Sequence, residues 1–393
     1  MPWMEKNTMS LRNEFVRFAL APGSNVRELC RRHQISPTTG YKWMARFREM
    51  GEEGLLDRPR RPRSSPWTTP KSVEEKVLAV REKHPAWGGR KLRRWLLNLG
   101  TRELPSASTI TEILRRHGRL APEESAKRKA FKSFERQRPN ELWQMDFKGH
   151  FGMEKGRCHP LTVLDDHSRF ALGLRACGNE TCATVRECLT GIFQIYGLPE
   201  CMLADNGSPW SPGGPDRSRG GHTGLTVWLL RLGVRMIHGR PWHPQTQGKD
   251  ERFHRSLKAE VLRRESFRDL AHCQDRFDGW RRVYNHERPH EALSLDVPIN
   301  RYRPSPRPYP QTLAPVEYPS GVETRKVMKD GHISYRGRTY RISEAFGGHR
   351  VALAPTSVDG LVDIVFIRHK VARIDLRTQR EKVDNESSHE EGS

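Results

Sequence analysis

ELWQMDFKGHF, residues 141–151, sets apolar Leu142, Met145 and Phe147 around a single aspartate, Asp146. The pattern suggests a short strand, and a carboxylate in the middle of a strand needs a reason. At an edge it would simply face water. Held rigid, it would suit a divalent metal ion, which prefers hard oxygen ligands. The neighbouring segments bear on the choice.

Downstream, HPLTVLDDHSRFALGLRAC (159–177) reads as strand, turn at Asp165-Asp166-His167-Ser168, and strand, a β-hairpin. Residues 181–197 fit a helix through Val185, Leu189, Ile192, Phe193 and Tyr196, stopped by Gly197. ECMLADNG is a short apolar strand ending at Asp205. GLTVWLLRLG is a helix, VRMIHG a strand, and KDERFHRSLKAEVLRRE a long helix starting after Gly248. Strands and helices in this order predict an α/β layer with a mixed five-stranded sheet and helices on both faces. Three acids fall at special points of it: Asp146 in mid-strand, Asp205 at a strand's C-terminal end and Glu251 in a helix's first turn. Strand ends and helix starts are where such folds build sites. Asp250 rivals Glu251 from sequence position alone. Asp165 and Asp166 read as ordinary hairpin-turn residues.

The first third of the chain is of another kind. LRNEFVRFALA and NVRELCRRHQI read as helices, and Ser36-Pro37 opens a third, with Trp43 and Phe47 at i, i+4 and Gly51 ending it. Two short helices around a tight turn predict a helix-turn-helix over residues 8–57. Thr38, Thr39, Tyr41 and Lys42 would face the major groove. The segment 58–69, with Arg60, Arg61 and Arg63 among prolines, stays extended and could lie along phosphates. Residues 70–120 predict a second helical DNA-binding unit, winged or plain, with Ser108 capping a helix that bears Ile110, Ile113 and Leu114. A charged linker follows over 121–138.

Charge supports a polyanion partner. The 393 residues carry a formal charge of +22, and the sequence pI is about 10.1. Residues 1–139 hold 31 basic and 15 acidic side chains, so +16 of the excess lies there. Seven cysteines with no C-x-x-C pair indicate reduced thiols and a cytoplasmic setting, and no apolar run is long enough for a membrane span.

WQMDFKGHF, LADNGSPW and HGRPWHPQTQGKDERFHRSLKAEVL together resemble the three signatures of the DDE transposase and retroviral-integrase core, an RNase H-like fold. The closest likeness is to bacterial insertion-sequence transposases with an N-terminal helix-turn-helix, over roughly residues 10–300. The resemblance implies Asp146, Asp205 and Glu251 as a catalytic triad binding two Mg²⁺ or Mn²⁺ ions per active site. It selects Glu251 over Asp250 through the G-x-x-E frame from Gly248. It also implies binding of terminal inverted repeats and target DNA, cleavage of phosphodiesters at the element's ends and transfer of the 3′-hydroxyls, by a homodimer or larger assembly on DNA. The 45 residues between Asp205 and Glu251 exceed the family's usual spacing by about ten, a surplus that falls in a Gly/Pro/Ser-rich loop. Arg255 and Lys258 lie four and seven residues after Glu251, on one helix face, and are candidate phosphate contacts with Lys249 and Arg240. No motif bears on a helper ATPase. A nuclease without strand transfer, or a non-catalytic DNA-binding regulator, is the alternative reading.

The core is expected over 139–305, with its closing N-x-x-R-P-H segment ordering the sheet edge. A Pro-rich linker over 306–320 leads to alternating strands over 321–380, read as a small β-barrel. A polar tail over 381–393 reads as disordered.

Overall fold

The computed structural model describes residues 8–57, 68–120, 135–211, 222–238 and 248–377. The chain divides into two units, Met1–Thr68 and Thr69–Ser393.

In the first unit, α1 (Thr8–Ala19), α2 (Val26–Arg32) and α3 (Pro37–Met50) enclose Phe15, Val16, Cys30, Trp43, Met44 and Leu55. Ser36 Oγ accepts the Thr39 N–H at 3.1 Å and Pro37 fills the first helical position, so the expected start of α3 is observed. A Cβ at Gly40 would lie 2.5 Å from Cys30 Sγ and 2.8 Å from Phe15 Cζ. Only glycine lets α3 cross its neighbours this closely, and that approach buries Trp43 with Met44. Phe18 on α1 and Leu20 just past its end are exposed.

The second unit opens with α4 (Lys71–Lys83), α5 (Gly89–Asn98) and α6 (Ala107–Arg116), packed around Val77, Trp87, Leu92, Leu96, Ile110 and Leu114. The α6 cap is Ser106, not Ser108: Ser106 Oγ accepts from the Thr109 N–H, the position a cap must reach. No strand occurs among the described residues 68–120, so the helical bundle there is plain, with no wing.

The core sheet is built from β1 (Leu142–Phe147), β2 (Phe151–Gly152), β3 (Arg157–Asp165), β4 (Ala171–Cys177), β5 (Cys201–Ala204) and β6 (Arg235–His238). Its path is β4-β3-β1-β5-β6, with β2 a two-residue addition to β3. β4, β3 and β1 are antiparallel, whereas β1, β5 and β6 are parallel, so the sheet is mixed as expected. On one face lie α7 (Cys182–Tyr196) and α8 (Gly224–Arg231), burying Trp143, Met145, Val163, Phe193 and Trp228. On the other, α9 (Gly248–Leu257) and α10 (Leu270–His286) bury Leu164, Leu174, Phe253, Leu257 and Phe277. The helix expected from Lys249 is α-helical only to Leu257 and continues as a π-turn over Lys258–Leu262.

Edge strand β4 has no strand beyond it, and α10 satisfies its backbone instead. Gln274 and Asn285 each bond strand amide and carbonyl groups, at Leu174, Ala176 and Ala171, while Arg281 donates to the carbonyls of Ala171 and Leu172. Covering an edge this way blocks pairing with another chain.

After α11 (Pro298–Arg301), the Pro-rich segment is laid onto the core. The Arg307 guanidinium donates to the carbonyls of Pro199, Leu232 and Gly233. The C-terminal strands are β7 (Thr324–Lys326), β8 (His332–Tyr335), β9 (Arg338–Arg341), β10 (Arg350–Pro355), β11 (Leu361–Phe366) and β12 (His369–Asp375). They form an open antiparallel sheet, β12-β11-β10-β7, and a separate β8-β9 hairpin, not the expected barrel. The physical reason is the packing of the apolar face. Val351, Ile364 and Phe366 share a cluster with Ile333 and Tyr335 of the hairpin and with Val227 and Leu230 of α8, so hairpin and α8 pack on the sheet's apolar face without closing it into a barrel. A chain ending at residue 320 should therefore bind a hydrophobic dye, and Val227→Asn with Leu230→Gln in that shorter chain should reduce the fluorescence.

Candidate active site

Asp146 is placed by β1. Its main chain pairs with Thr162 of β3 in the antiparallel register. On the other side, β1 and β5 run parallel with Gln144 opposite Leu203. The same register carried two residues further sets Asp146 beside Asp205, just past the end of β5. Neighbouring strands lie about 4.8 Å apart, so the two carboxylates share one corner of the sheet. Their proximity is felt: burial first, then the Asp205 charge, raises the Asp146 pKa from 3.8 to about 7.

Asp205 is held by the D-N-G turn. Its Oδ1 accepts the Gly207 N–H at 2.9 Å, and its carbonyl accepts from His238 Nδ1 at 2.8 Å. A side chain at Gly207 would press on the carboxylate, since a Cβ there lies 3.1 Å from Asp205 Oδ2. Buried Trp210 stacks on Phe147 at 5.6 Å and closes the loop against β1.

α9 supplies the third side of the corner. Asp250 and His254, one turn apart, are buried, while Glu251, Arg255 and Lys258 are exposed. Glu251 thus lies on the open face that the helical spacing gave it with Arg255 and Lys258. The structure brings Asp146 and Asp205 together but does not gather Glu251 with them. Among the described residues no three His, Cys, Asp or Glu side chains stand close enough to hold an ion by themselves. Asp250 is 1% exposed, and neither carboxylate oxygen has a hydrogen-bond partner among the described residues. Burial and the nearby charges of Asp146 and Asp166 raise its pKa well above the usual carboxylate value.

His254 closes the corner from below. Its Nε2 lies 2.9 Å from Thr162 Oγ1, and Thr162 Oγ1 donates to the Asp146 carbonyl at 3.0 Å. Burial and the Lys148 charge lower its pKa to about 4, so the ring is neutral at neutral pH. From sequence, His254 reads as a surface histidine sooner than one assisting near the metals, and Thr162 and Lys148 go unread; the structure buries His254, one turn from Asp250. The donor chemistry fits a hard divalent cation: two adjacent carboxylates, a third that is buried and unpaired, and only neutral His254 within ion-pair range of Asp146 among the described residues.

Asp165 and Asp166 are more than turn residues, since both are fully buried. Asp165 accepts from the Asn140 and Ser168 amides and the Ser168 hydroxyl. Asp166 accepts from the Arg136 amide and Gln144 Nε2, each at 2.7 Å, and pairs with Lys249 Nζ. Lys249, expected to reach DNA, has its ammonium largely buried against Asp166 in this structure. Its ammonium is spent pinning the first turn of α9 to the β3–β4 turn, and burial lowers its pKa. Thr38, Tyr41 and Lys42 are exposed on α3, but the Thr39 hydroxyl is engaged with Ser36 in the helix cap. Arg60, Arg61, Arg63 and Arg240 lie outside the described residues.

Domain models match in sequence. A "Helix-turn-helix domain" covers residues 12–63, a "Homeodomain-like domain" 39–114, an "Integrase core domain" 136–244 and again 232–298, and an "IS481 family transposase, C-terminal domain" 322–382. In chain order, helix-turn-helix matches thus precede an integrase-core match. More narrowly, the chain matches a transposase domain model in its C-terminal segment and has insertion-element proteins among its relatives. It is 27% identical over 245 residues to "Insertion element IS476 uncharacterized 39.2 kDa protein" of Xanthomonas euvesicatoria, covering 60% of this chain and 66% of that protein. It is 28% identical to "Insertion element IS407 uncharacterized 31.7 kDa protein" of Burkholderia multivorans, covering 41% of this chain and 54% of that protein. The chain therefore spans less than two thirds of either relative. The HTLV-2 integrase catalytic core solved with magnesium matches 42% of this chain and 99% of its own at 13% identity, with a TM-score of 0.32, too low a likeness to argue from. No helix among the described residues is long and apolar enough to cross a membrane.

Two outcomes check this geometry. In EDTA, the Asp146 pKa of about 7 against 3.8 unfolded means the folded state holds a proton that the unfolded state has lost. Stability should therefore fall as pH rises between those values and level off above, and Asp146→Asn should remove that slope in urea titrations. Lys249→Met should cost about 3 kcal/mol by leaving Asp166 buried and unpaired, and adding Asp166→Asn should restore part of it.

Proposed function

We propose that the protein is a DNA transposase of the DDE type, in which Asp146, Asp205 and Glu251 hold Mg²⁺ or Mn²⁺, two ions per site, for cleavage at the element's ends and strand transfer. The observation that carries this is the pairing of Asp146 with Asp205 in the β1–β5 register, at the mouth of an integrase-core sheet. Such an ion, when bound, supplies Lewis-acid activation of a hydroxyl and stabilises the leaving oxygen of a phosphodiester. The chain's own part is placement. β1 and the D-N-G turn fix the two aspartates, and the Asp166–Lys249 pair fixes the helix that carries Glu251. Arg255 and Lys258 are exposed beside Glu251 and suit DNA phosphates approaching that face. Water attacks first and releases a 3′-hydroxyl; that hydroxyl then attacks target DNA, so each step exchanges one phosphodiester oxygen for another.

Thr38, Tyr41 and Lys42 on α3 suit a major groove, which assigns recognition of terminal repeats to the N-terminal helices. Joining two ends calls for at least two copies of the chain on DNA. One observation favours a non-catalytic regulator: the exposure of Glu251 apart from the aspartates.

A strand-transfer assay separates these readings, using a labelled duplex of the element's own end, plasmid target and Mn²⁺. Wild type should give joined product. Asp146→Asn, Asp205→Asn and Glu251→Gln should each reduce it more than about a hundredfold, beyond the 10–100-fold typical of outer-shell changes, with end binding retained. Nicking without joining would indicate a nuclease, and binding without chemistry a regulator. Full activity in Glu251→Gln, with loss in Asp250→Asn, would move the third carboxylate to Asp250.

A further inference from the structure

We propose that His254 is a ligand at the metal site, its Nδ1 binding the same divalent cation as a carboxylate oxygen of Asp146. This rests on the metal reading above and extends it to a nitrogen donor.

The hydrogen-bond chain dictates the tautomer. Thr162 has one hydroxyl hydrogen, and its Oγ1 lies 3.0 Å from the Asp146 carbonyl and 2.9 Å from His254 Nε2. A carbonyl can only accept, so the hydrogen goes to Asp146. The Thr162 oxygen must then accept from His254, which puts the imidazole hydrogen on Nε2 and leaves Nδ1 with its lone pair. That lone pair faces Asp146 Oδ2 at 3.9 Å.

Two acceptors now confront each other across a gap. An imidazolium would close to about 2.8 Å on a carboxylate, so the separation is not that of a charged hydrogen bond. It lies within the span open to two ligands of one ion, at an angle of about 136° that a shift of a few tenths of an ångström would bring to an octahedral position. With ligand bonds of about 2.1 Å, the separation runs from about 3.0 Å at a right angle to about 4.2 Å across the ion. Among the described residues Nε2 has a hydrogen-bond partner, and Nδ1 makes the 3.9 Å approach to Asp146.

Asp250 is an independent sign. One turn earlier on the same buried stripe, it is 1% exposed with both oxygens unpartnered, and Asp146 is among its nearest charges. A buried carboxylate without donors is relieved either by holding a proton or by positive charge brought nearby. The remaining coordination positions would go to water and DNA phosphate, the usual complement to one or two protein ligands. An imidazole nitrogen also tilts selectivity from Mg²⁺ towards Mn²⁺ and Co²⁺.

The test uses the full chain and Mn²⁺ alone, read by electron spin-echo envelope modulation. Wild type should show ¹⁴N modulation of the bound Mn²⁺, replaced by the ¹⁵N pattern when histidine is ¹⁵N-labelled; this arm needs no variant to fold. His254→Asn should lose the modulation and bind Mn²⁺ at least about tenfold more weakly. Thr162→Val, which frees the ring to change tautomer, should weaken it in the same direction. Mn²⁺ binding that Asp146→Asn abolishes, but without nitrogen modulation or with modulation persisting in His254→Asn, overturns the ligand role and leaves the metal reading standing. Absence of Mn²⁺ binding by wild type overturns both.

Discussion

The parallel register of β1 against β5 is the constraint on which the rest of the molecule turns. Two aspartates from segments nearly sixty residues apart share one corner only because that register aligns them and because both strands are rigid. Rigidity comes from burial on both faces: Trp143 and Met145 into the α7–α8 layer, Leu164 and Leu174 of the partner strands into the α9–α10 layer. A carboxylate on a mobile loop could relax away from its neighbour. On this sheet it cannot, and burial first, then the Asp205 charge, raises the Asp146 pKa.

Polar groups inside the core serve the same corner. Asp166 collects a backbone amide before β1, a glutamine on β1 and the lysine that opens α9, so one buried carboxylate joins three chain segments. Thr162 bridges the Asp146 carbonyl to His254 and ties helix to strand on the opposite side. Both devices work through direction. Apolar packing alone would hold α9 against the sheet without setting which of its residues look inward.

Much of this was legible in the residues. The α3 start was readable because Ser36 and Pro37 act within one turn, where capping is local chemistry. The mixed sheet followed from strand and helix order, and Asp146 and Asp205 from their places on strands. Other features lay beyond local reading. Ser108 looked as good a cap as Ser106, because only the backbone shows which serine stands before the first turn. The barrel expectation failed because the apolar face of the C-terminal sheet meets α8, nearly a hundred residues earlier in the chain. Lys249 looked like a phosphate contact because nothing local reveals a buried Asp166 opposite it.

The sequence by itself determined most of the elements, the α3 cap, the carboxylates and the basic character of the chain, since each depends on residues within a few positions or on total charge. Tertiary structure decided how those groups meet. It aligned Asp146 with Asp205, turned Asp250 and His254 inward and Glu251 outward on α9, and left one imidazole nitrogen facing a carboxylate across an unfilled hydrogen-bond gap. Those outcomes depend on strand register and helix rotation, which are set by contacts between residues far apart in the chain and are written in no single stretch of it.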